Sequence, residues 1–207
     1  MARYEKTGRK GHGCCGGIFT LILVCLVIVG LLAFTTDVLD SVKNKVLMEY
    51  YPQNYSDKVE KYSEEFGVKE SLVYAVIRTE SGFRAEVESS VGAMGLMQIM
   101  PETFEWLQNM KDGEIIYSSS DLLSPEINIE YGTYFLSYLL SHYNGNEMLA
   151  VAAYNAGMTN VDNWLSDEQY SQNGITLSDI PFSETSQYVE RVEKTKAMYE
   201  SLYYDNN

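Results

Sequence analysis

The sequence predicts a mainly α-helical domain of about 150 residues behind one N-terminal transmembrane helix. Three observations carry this. An uncharged apolar run occupies Ile18 to Phe34. Beyond it, apolar residues recur at three- and four-residue spacing, with Ser, Pro and Gly where helices start and stop. No stretch alternates apolar and polar residues over a convincing strand length, and no internal repeat is found.

The apolar run, with Gly16, Gly17, Thr35 and Thr36, covers roughly 30 Å as a helix, enough to cross a bilayer. A buried core helix would show a polar face, and this one shows none. Arg3, Lys6, Arg9 and Lys10 precede it against Glu5, while Asp37 and Asp40 follow. The positive-inside rule then puts the N-terminus in the cytoplasm and the rest outside, as a single-pass protein of the cell membrane. A cleaved signal peptide is the rival, but Leu31-Leu32-Ala33 lacks the small first residue of a cleavage site. The expected division is a cytoplasmic basic tail (1–17), a signal anchor (18–36), a stalk or linker helix (37–54) and an outer domain (55–207).

Cys14, Cys15 and Cys25 all lie in or before the span, so the outer domain is expected to hold without disulfides. Two adjacent cysteines make a poor zinc site. The segment to Thr36 holds four of the fifteen bases and one of the twenty-nine acids, net +3, which leaves −17 for the remainder. Such a surface has no basic stripe with which to neutralise phosphates, so nucleic acid is excluded as a partner.

Val38 to Tyr51 reads as a helix ended by Pro52. Ser56 to Phe66 follows, with Ser56 as a cap and Gly67 as a stop. Lys69 to Glu80 carries Leu72, Val73, Val76 and Ile77 on one face, and Ser81-Gly82 breaks it. Gly92 to Pro101 is too irregular for a helix and too rich in Gly and Met for a surface loop. Pro101 opens a helix to about Met110, and Lys111 to Ser120 reads as loop. Ser124-Pro125-Glu126 starts the longest helix, through about Tyr143. Its apolar and aromatic residues surround most of the circumference, which places it at the centre of the domain. Asn144-Gly145-Asn146 is a turn, and Glu147 to Ala156 a short helix closed by Gly157. Thr159 to Leu165 adds another turn of helix, Gln169 to Ile180 is loop, and Ser183 caps a final helix from Glu184 to about Tyr203.

Glu80 is the candidate for chemistry. A carboxylate in the last turn of a helix meets the negative end of the helix dipole. Shielding by Phe83 and Met97 would raise its pKa further, towards that of a general acid at neutral pH. The plain alternative is a Glu at a frayed helix end beside a buried loop. A second carboxylate for a paired glycosidase mechanism is not picked out among Glu86, Glu88 and Glu102.

Glu80-Ser81-Gly82, then Gly92-Ala93-Met94-Gly95-Leu96-Met97-Gln98-Ile99-Met100-Pro101, then Ala152-Ala153-Tyr154-Asn155-Ala156-Gly157 resemble the signature of lytic transglycosylases of the soluble (SLT) type. The likeness covers roughly Tyr55 to Tyr204. It implies a lysozyme-like helical fold and non-hydrolytic cleavage of the MurNAc-GlcNAc β-1,4 bond of peptidoglycan. Glu80 would be the catalytic residue, acid and then base, leaving 1,6-anhydro-MurNAc ends with no cofactor and no metal. The resemblance also implies substrate contacts from Ser89, Met97, Gln98, Tyr154 and Asn155, and from Glu184 and Tyr188 in a Glu-Thr…Tyr-Val segment. Ser90 stands where the family often has proline, and Ser186 where it often has arginine.

The expected partners are therefore peptidoglycan glycan strands, the membrane through the N-terminal helix, and an envelope-spanning secretion, conjugation or division machinery. A goose-type lysozyme, hydrolysing the same bond, and a non-catalytic glycan-binding assembly protein are the alternatives.

Overall fold

In a computed structural model of the chain, residues 34, 38, 39 and 41–204 are described. The expected basic tail lies outside them, as does the expected membrane helix apart from Phe34. Among the described residues no helix is long and apolar enough to cross a membrane. Two compact units divide the chain, Met1–Tyr50 and Tyr51–Asn207. In the first, residues 41–50 are helical. The helix stops there because Pro52 disfavours a helical backbone at the residue before it.

The second unit is built from helices. They are α1 (Ser56–Phe66), α2 (Glu70–Glu80), α3 (Pro101–Lys111), α4 (Pro125–His142), α5 (Glu147–Ala156), α6 (Met158–Ser166) and α7 (Ser183–Tyr199), with a 3-10 turn at Ser119–Leu123 and a π turn at Glu200–Tyr204. Extended pairing among the described residues amounts to two isolated bridges, Glu88 with Met94 and Met94 with Ile99. Central α4 packs against α1, α3 and α5, while α2 and α5 pack against α7. Ile129, Tyr131, Leu136 and Leu139 of α4 are completely buried, as are Leu72 to Ile77 of α2 apart from a trace at Leu72.

Local chemistry explains most boundaries. Gly67 ends α1 in the left-handed region (φ 67°), its N–H reaching the Ser63 carbonyl. Pro101 and Pro125 occupy first-turn positions, where a missing N–H costs nothing. Asn146 caps α5 by accepting from the Leu149 N–H at 3.2 Å. Two expected caps are corrected. Ser56 and Ser183 are already helical, because the chain enters through Tyr55, which is left-handed at φ 62°, and through extended Phe182. Neither of those residues makes a side-chain cap bond. The 3-10 turn falls at the end of the expected loop after α3, where Asp121 accepts from Ser118 N and Oγ at 2.8 and 2.7 Å.

The ends of the second unit are sewn together by tyrosines. The Tyr199 ring stacks on Tyr74 at 5.1 Å and meets the edge of Tyr51 at 5.7 Å. Its hydroxyl donates to the Pro52 carbonyl (2.9 Å), and Tyr203 donates to that of Tyr51 (2.8 Å). Replacing the fully buried Tyr199 with Ala should cost about 4 kcal/mol, through lost packing and an orphaned carbonyl. A urea midpoint within 1 kcal/mol of the parent's, using about the same slope, would show that this seam does not hold the unit.

Candidate active site

Glu80 is the last residue of α2, and Ser81 caps it. The carboxyl therefore sits at the carbonyl end of the helix, against the wall made by α7. Tyr188, on α7 and 3 % exposed, donates its hydroxyl to Glu80 Oε1 at 2.7 Å. Burial pushes the Glu80 pKa up to about 7, against the opposing pull of the Tyr188 hydrogen bond and the Arg191 charge. The protonated acid is thus available near neutral pH, where an ordinary carboxyl would be ionised. Burial also lifts the Tyr188 and Tyr154 phenols well above their ordinary range, and the Glu80 charge adds to both shifts, so both remain donors.

Removing the Tyr188 hydroxyl takes away a bond that favours ionised Glu80. Tyr188→Phe should therefore raise the Glu80 pKa above 7 and move the alkaline limb of any Glu80-dependent activity to higher pH. A limb that stays in place or moves down would mean that the hydroxyl does not tune this acid.

The segment after Glu80 folds into a compact loop on Asn128 of α4. Asn128 is completely buried between Ile127 and Ile129. Its Nδ2 donates to the carbonyls of Leu122 (2.8 Å) and Met94 (2.9 Å), and its Oδ1 accepts from Met97 N at 2.7 Å. Gly95 lies against this clamp at φ 78°. A Cβ there would come within 2.2 Å of the Leu122 carbonyl oxygen and of Asn128 Nδ2, so only glycine fits. Gly132 lies close against the Met97 side chain, whose sulfur would lie 2.3 Å from an added Cβ.

The residues expected at the site distribute as follows. Tyr154 Oη donates to the Met97 carbonyl at 2.7 Å, so it braces the loop beside Glu80 while Tyr188 holds the acid itself. Met97 is completely buried against Gly132, so it supports the loop from within and presents no free face. Phe83 is half-buried and packs on Tyr74 at 6.4 Å. Gln98, at φ 49°, spends its amide nitrogen on the carbonyls of Gly95 (2.9 Å) and Val87 (3.2 Å). Ser89 closes the same loop, its Oγ accepting from Ala93 N at 2.9 Å.

Asn155 Oδ1 accepts from Thr185 Oγ1 at 2.8 Å. That pair and Glu184 line a groove of about 550 Å³ with Ala156, Pro181, Phe182 and Ser183. The exposed Phe182 ring is propped edge-on by Trp164 at 5.0 Å, giving the groove an aromatic face. A groove of about 560 Å³ also lies at the opposite end of α2, lined by Glu60, Glu64, Glu70 and Glu200 among others, and is remote from Glu80.

Three contributors were not singled out from sequence. Asn128 carries a detectable signal, a lone amide inside the apolar stripe of α4. Arg191 lies one helical turn beyond Tyr188, a spacing that puts both on one face. Phe182 had no signal beyond its place before a helix.

A buried acid with a pKa raised to about 7, bonded to a phenol in a helical domain, is a candidate acid–base site. Comparison with known proteins identifies the family. The chain belongs to the transglycosylase SLT domain family, whose model matches residues 57–175. It is 37% identical over 154 residues to the soluble lytic murein transglycosylase of Escherichia coli, covering 74% of this chain and 24% of the relative. A membrane-bound lytic murein transglycosylase C of Serratia proteamaculans is 31% identical over 165 residues, covering 70% of this chain and 46% of the relative. The crystal structure of the soluble lytic transglycosylase of Escherichia coli superposes with a TM-score of 0.67 at 35% identity, covering 75% of this chain and 25% of that one. The chain thus spans about a quarter of the length of the soluble relative it matches.

Proposed function

We propose that the protein is a peptidoglycan lytic transglycosylase in which Glu80 is the sole proton-transferring carboxyl. The observation that carries this reading is the environment of Glu80. Its carboxyl is buried to a pKa of about 7, and the groups acting on it are Tyr188 and Arg191 rather than a second carboxylate. Protonated Glu80 gives its proton to the oxygen between the muramyl and glucosaminyl rings as the C1–O bond breaks. The substrate's own acetamido oxygen supports the positive charge developing at C1. The C6 hydroxyl then attacks C1 while ionised Glu80 takes its proton. The 1,6-anhydro ring closes, no water is consumed and the acid is regenerated. An internal hydroxyl held close to C1 does the work of a positioned water.

Family membership supports the substrate class, and the names of the relatives support the lyase over the lysozyme outcome. Ser89 and Gln98 shape the loop that forms one wall, while Asn155, Glu184 and the Phe182 ring offer the groove for the glycan. On this reading Met97 acts from behind, through the Tyr154 bond. The apolar run before residue 37 would anchor the enzyme to the outer face of the cell membrane. Cleavage would then be confined to nearby glycan, which suits opening the wall for a secretion, conjugation or division apparatus.

Mass spectrometry of purified peptidoglycan digested by the full chain tests the reaction. Products ending in 1,6-anhydro-muramic acid, lighter by one water than hydrolysis products and absent with Glu80→Gln, are expected. Reducing-end products would make the enzyme a hydrolase instead.

A further inference from the structure

From residue 51 to 204 the chain carries twenty-four carboxylates and nine basic side chains. A cation in such surroundings finds a partner easily, and all six lysines do. Lys58 and Lys61 pair with Glu126, Lys69 and Lys196 with Glu147, Lys111 with Asp112 and Glu130, and Lys194 with Glu190. Of the three arginines, Arg78 lies over the Tyr51 ring at 4.5 Å. Arg84 and Arg191 are exposed, and among the described residues neither forms an ion pair.

Both flank the catalytic acid. Arg84 is four residues beyond Glu80, and its Nε donates to the carbonyl of Ser81, the next residue after Glu80, at 2.8 Å. That bond leaves its two terminal nitrogens for a ligand. Arg191 lies 6.0 Å from the centroid of Tyr188, the ring whose hydroxyl holds Glu80. It is close enough for its charge to act on the acid. The two guanidinium groups without an ion pair thus come from separate elements, one bonded to the residue after Glu80 and the other beside the tyrosine that holds its carboxyl.

We propose that Arg84 and Arg191 form a carboxylate-binding rim of the Glu80 site, which selects glycan strands bearing free carboxylates over those whose carboxylates are blocked. The proposal rests on the glycan-cleaving reading above and adds the chemistry of the groups beside the scissile bond. A unit this acidic repels an anionic polymer at a distance. Two uncompensated cations at the point of reaction offset that locally, and a guanidinium matches a carboxylate with two parallel hydrogen bonds, which an ammonium cannot do. The unpaired state itself fits this use, since a guanidinium already bound to a protein carboxylate would have to be released first.

The test uses the full chain, its Arg84→Gln, Arg191→Gln and double variants, and soluble peptidoglycan fragments in two forms. One form keeps its carboxylates and the other has them amidated with methylamine. For the parent enzyme, KM for the amidated form should exceed that for the acidic form about tenfold, a ratio worth about 1.4 kcal/mol. The double variant should bring the ratio to about one, and the parent's preference should fade in high salt. A parent without preference, or a double variant that keeps it, overturns the proposal. So does a double variant that moves only the pH profile, because Arg191 would then act on Glu80 alone.

The same comparison is made by calorimetric binding to the Glu80→Gln protein. If the parent cleaves nothing, the enzymatic reading fails, while the binding ratio still reports on the arginines by themselves.

Discussion

Glu80→Gln is expected to lower anhydro-product release by roughly 10²–10⁴-fold or more and, at the same time, to make the protein more stable at alkaline pH. The second effect follows from the sign of the shift. Glu80 has a pKa of about 7 in the folded protein against an ordinary value of 4.5. Between these values the unfolded chain gives up the proton first, so stability falls as pH rises through that window. Below about pH 4 both states are neutral and parent and variant should be equally stable. Above about pH 8 the parent folds with a buried carboxylate, and the variant should be more stable by on the order of 3 kcal/mol. Urea melts at pH 4 and pH 8 measure the difference directly. A gap that does not grow with pH would mean that the carboxyl is solvated and is no poised acid. Activity lost together with stability gained is the trade expected of a group held for reaction rather than for packing.

Asn128→Ala should be the most damaging change away from the reacting groups. It strands the Met97 N–H and removes the donor to the Met94 and Leu122 carbonyls, all held inside the unit. The cost should be about 3 kcal/mol, the scale of leaving buried polar groups unsatisfied. Because Tyr154 reaches the same loop through the Met97 carbonyl, catalysis should fall further than the loss of folded protein explains. Gly95→Ala approaches the same clamp from the other side and should cost about 2–4 kcal/mol, since neither the left-handed backbone nor the Leu122 carbonyl can give way. Comparing kcat of the folded fraction with urea stability separates the two effects. A variant with Asn128→Ala that melts within 1 kcal/mol of the parent would show that the loop relaxes independently of α4.

The helices were legible because their signals are local. Pro101 and Pro125 start helices, Gly67 ends one, and the aromatic circumference of α4 puts it in the middle. The Ser56 cap was misread because the decisive residue, left-handed Tyr55, carries no side-chain signature of its backbone angle. The place of Glu80 at a helix end was legible in the sequence. Its partner Tyr188 lies 108 residues away and was reachable only through the family likeness. The loop bonds of Gln98 and Ser89 were not legible for a similar reason, as nothing in a Gly-rich run says which backbone groups its own side chains will meet.

The tyrosine seam has a further consequence for the chain's architecture. Tyr203 reaches Tyr51 and Tyr204 reaches Gln53, so the unit enters and leaves at one pole. A domain whose ends touch can be grafted onto another protein without stretching either. The chain matches only a quarter of a longer relative, an arrangement that such a geometry permits. The same geometry also permits circular permutation, with residues 204 and 51 joined by a short linker and new ends opened in the exposed stretch 172–176. Such a permutant would carry Glu80 unchanged on a module entered at a different point.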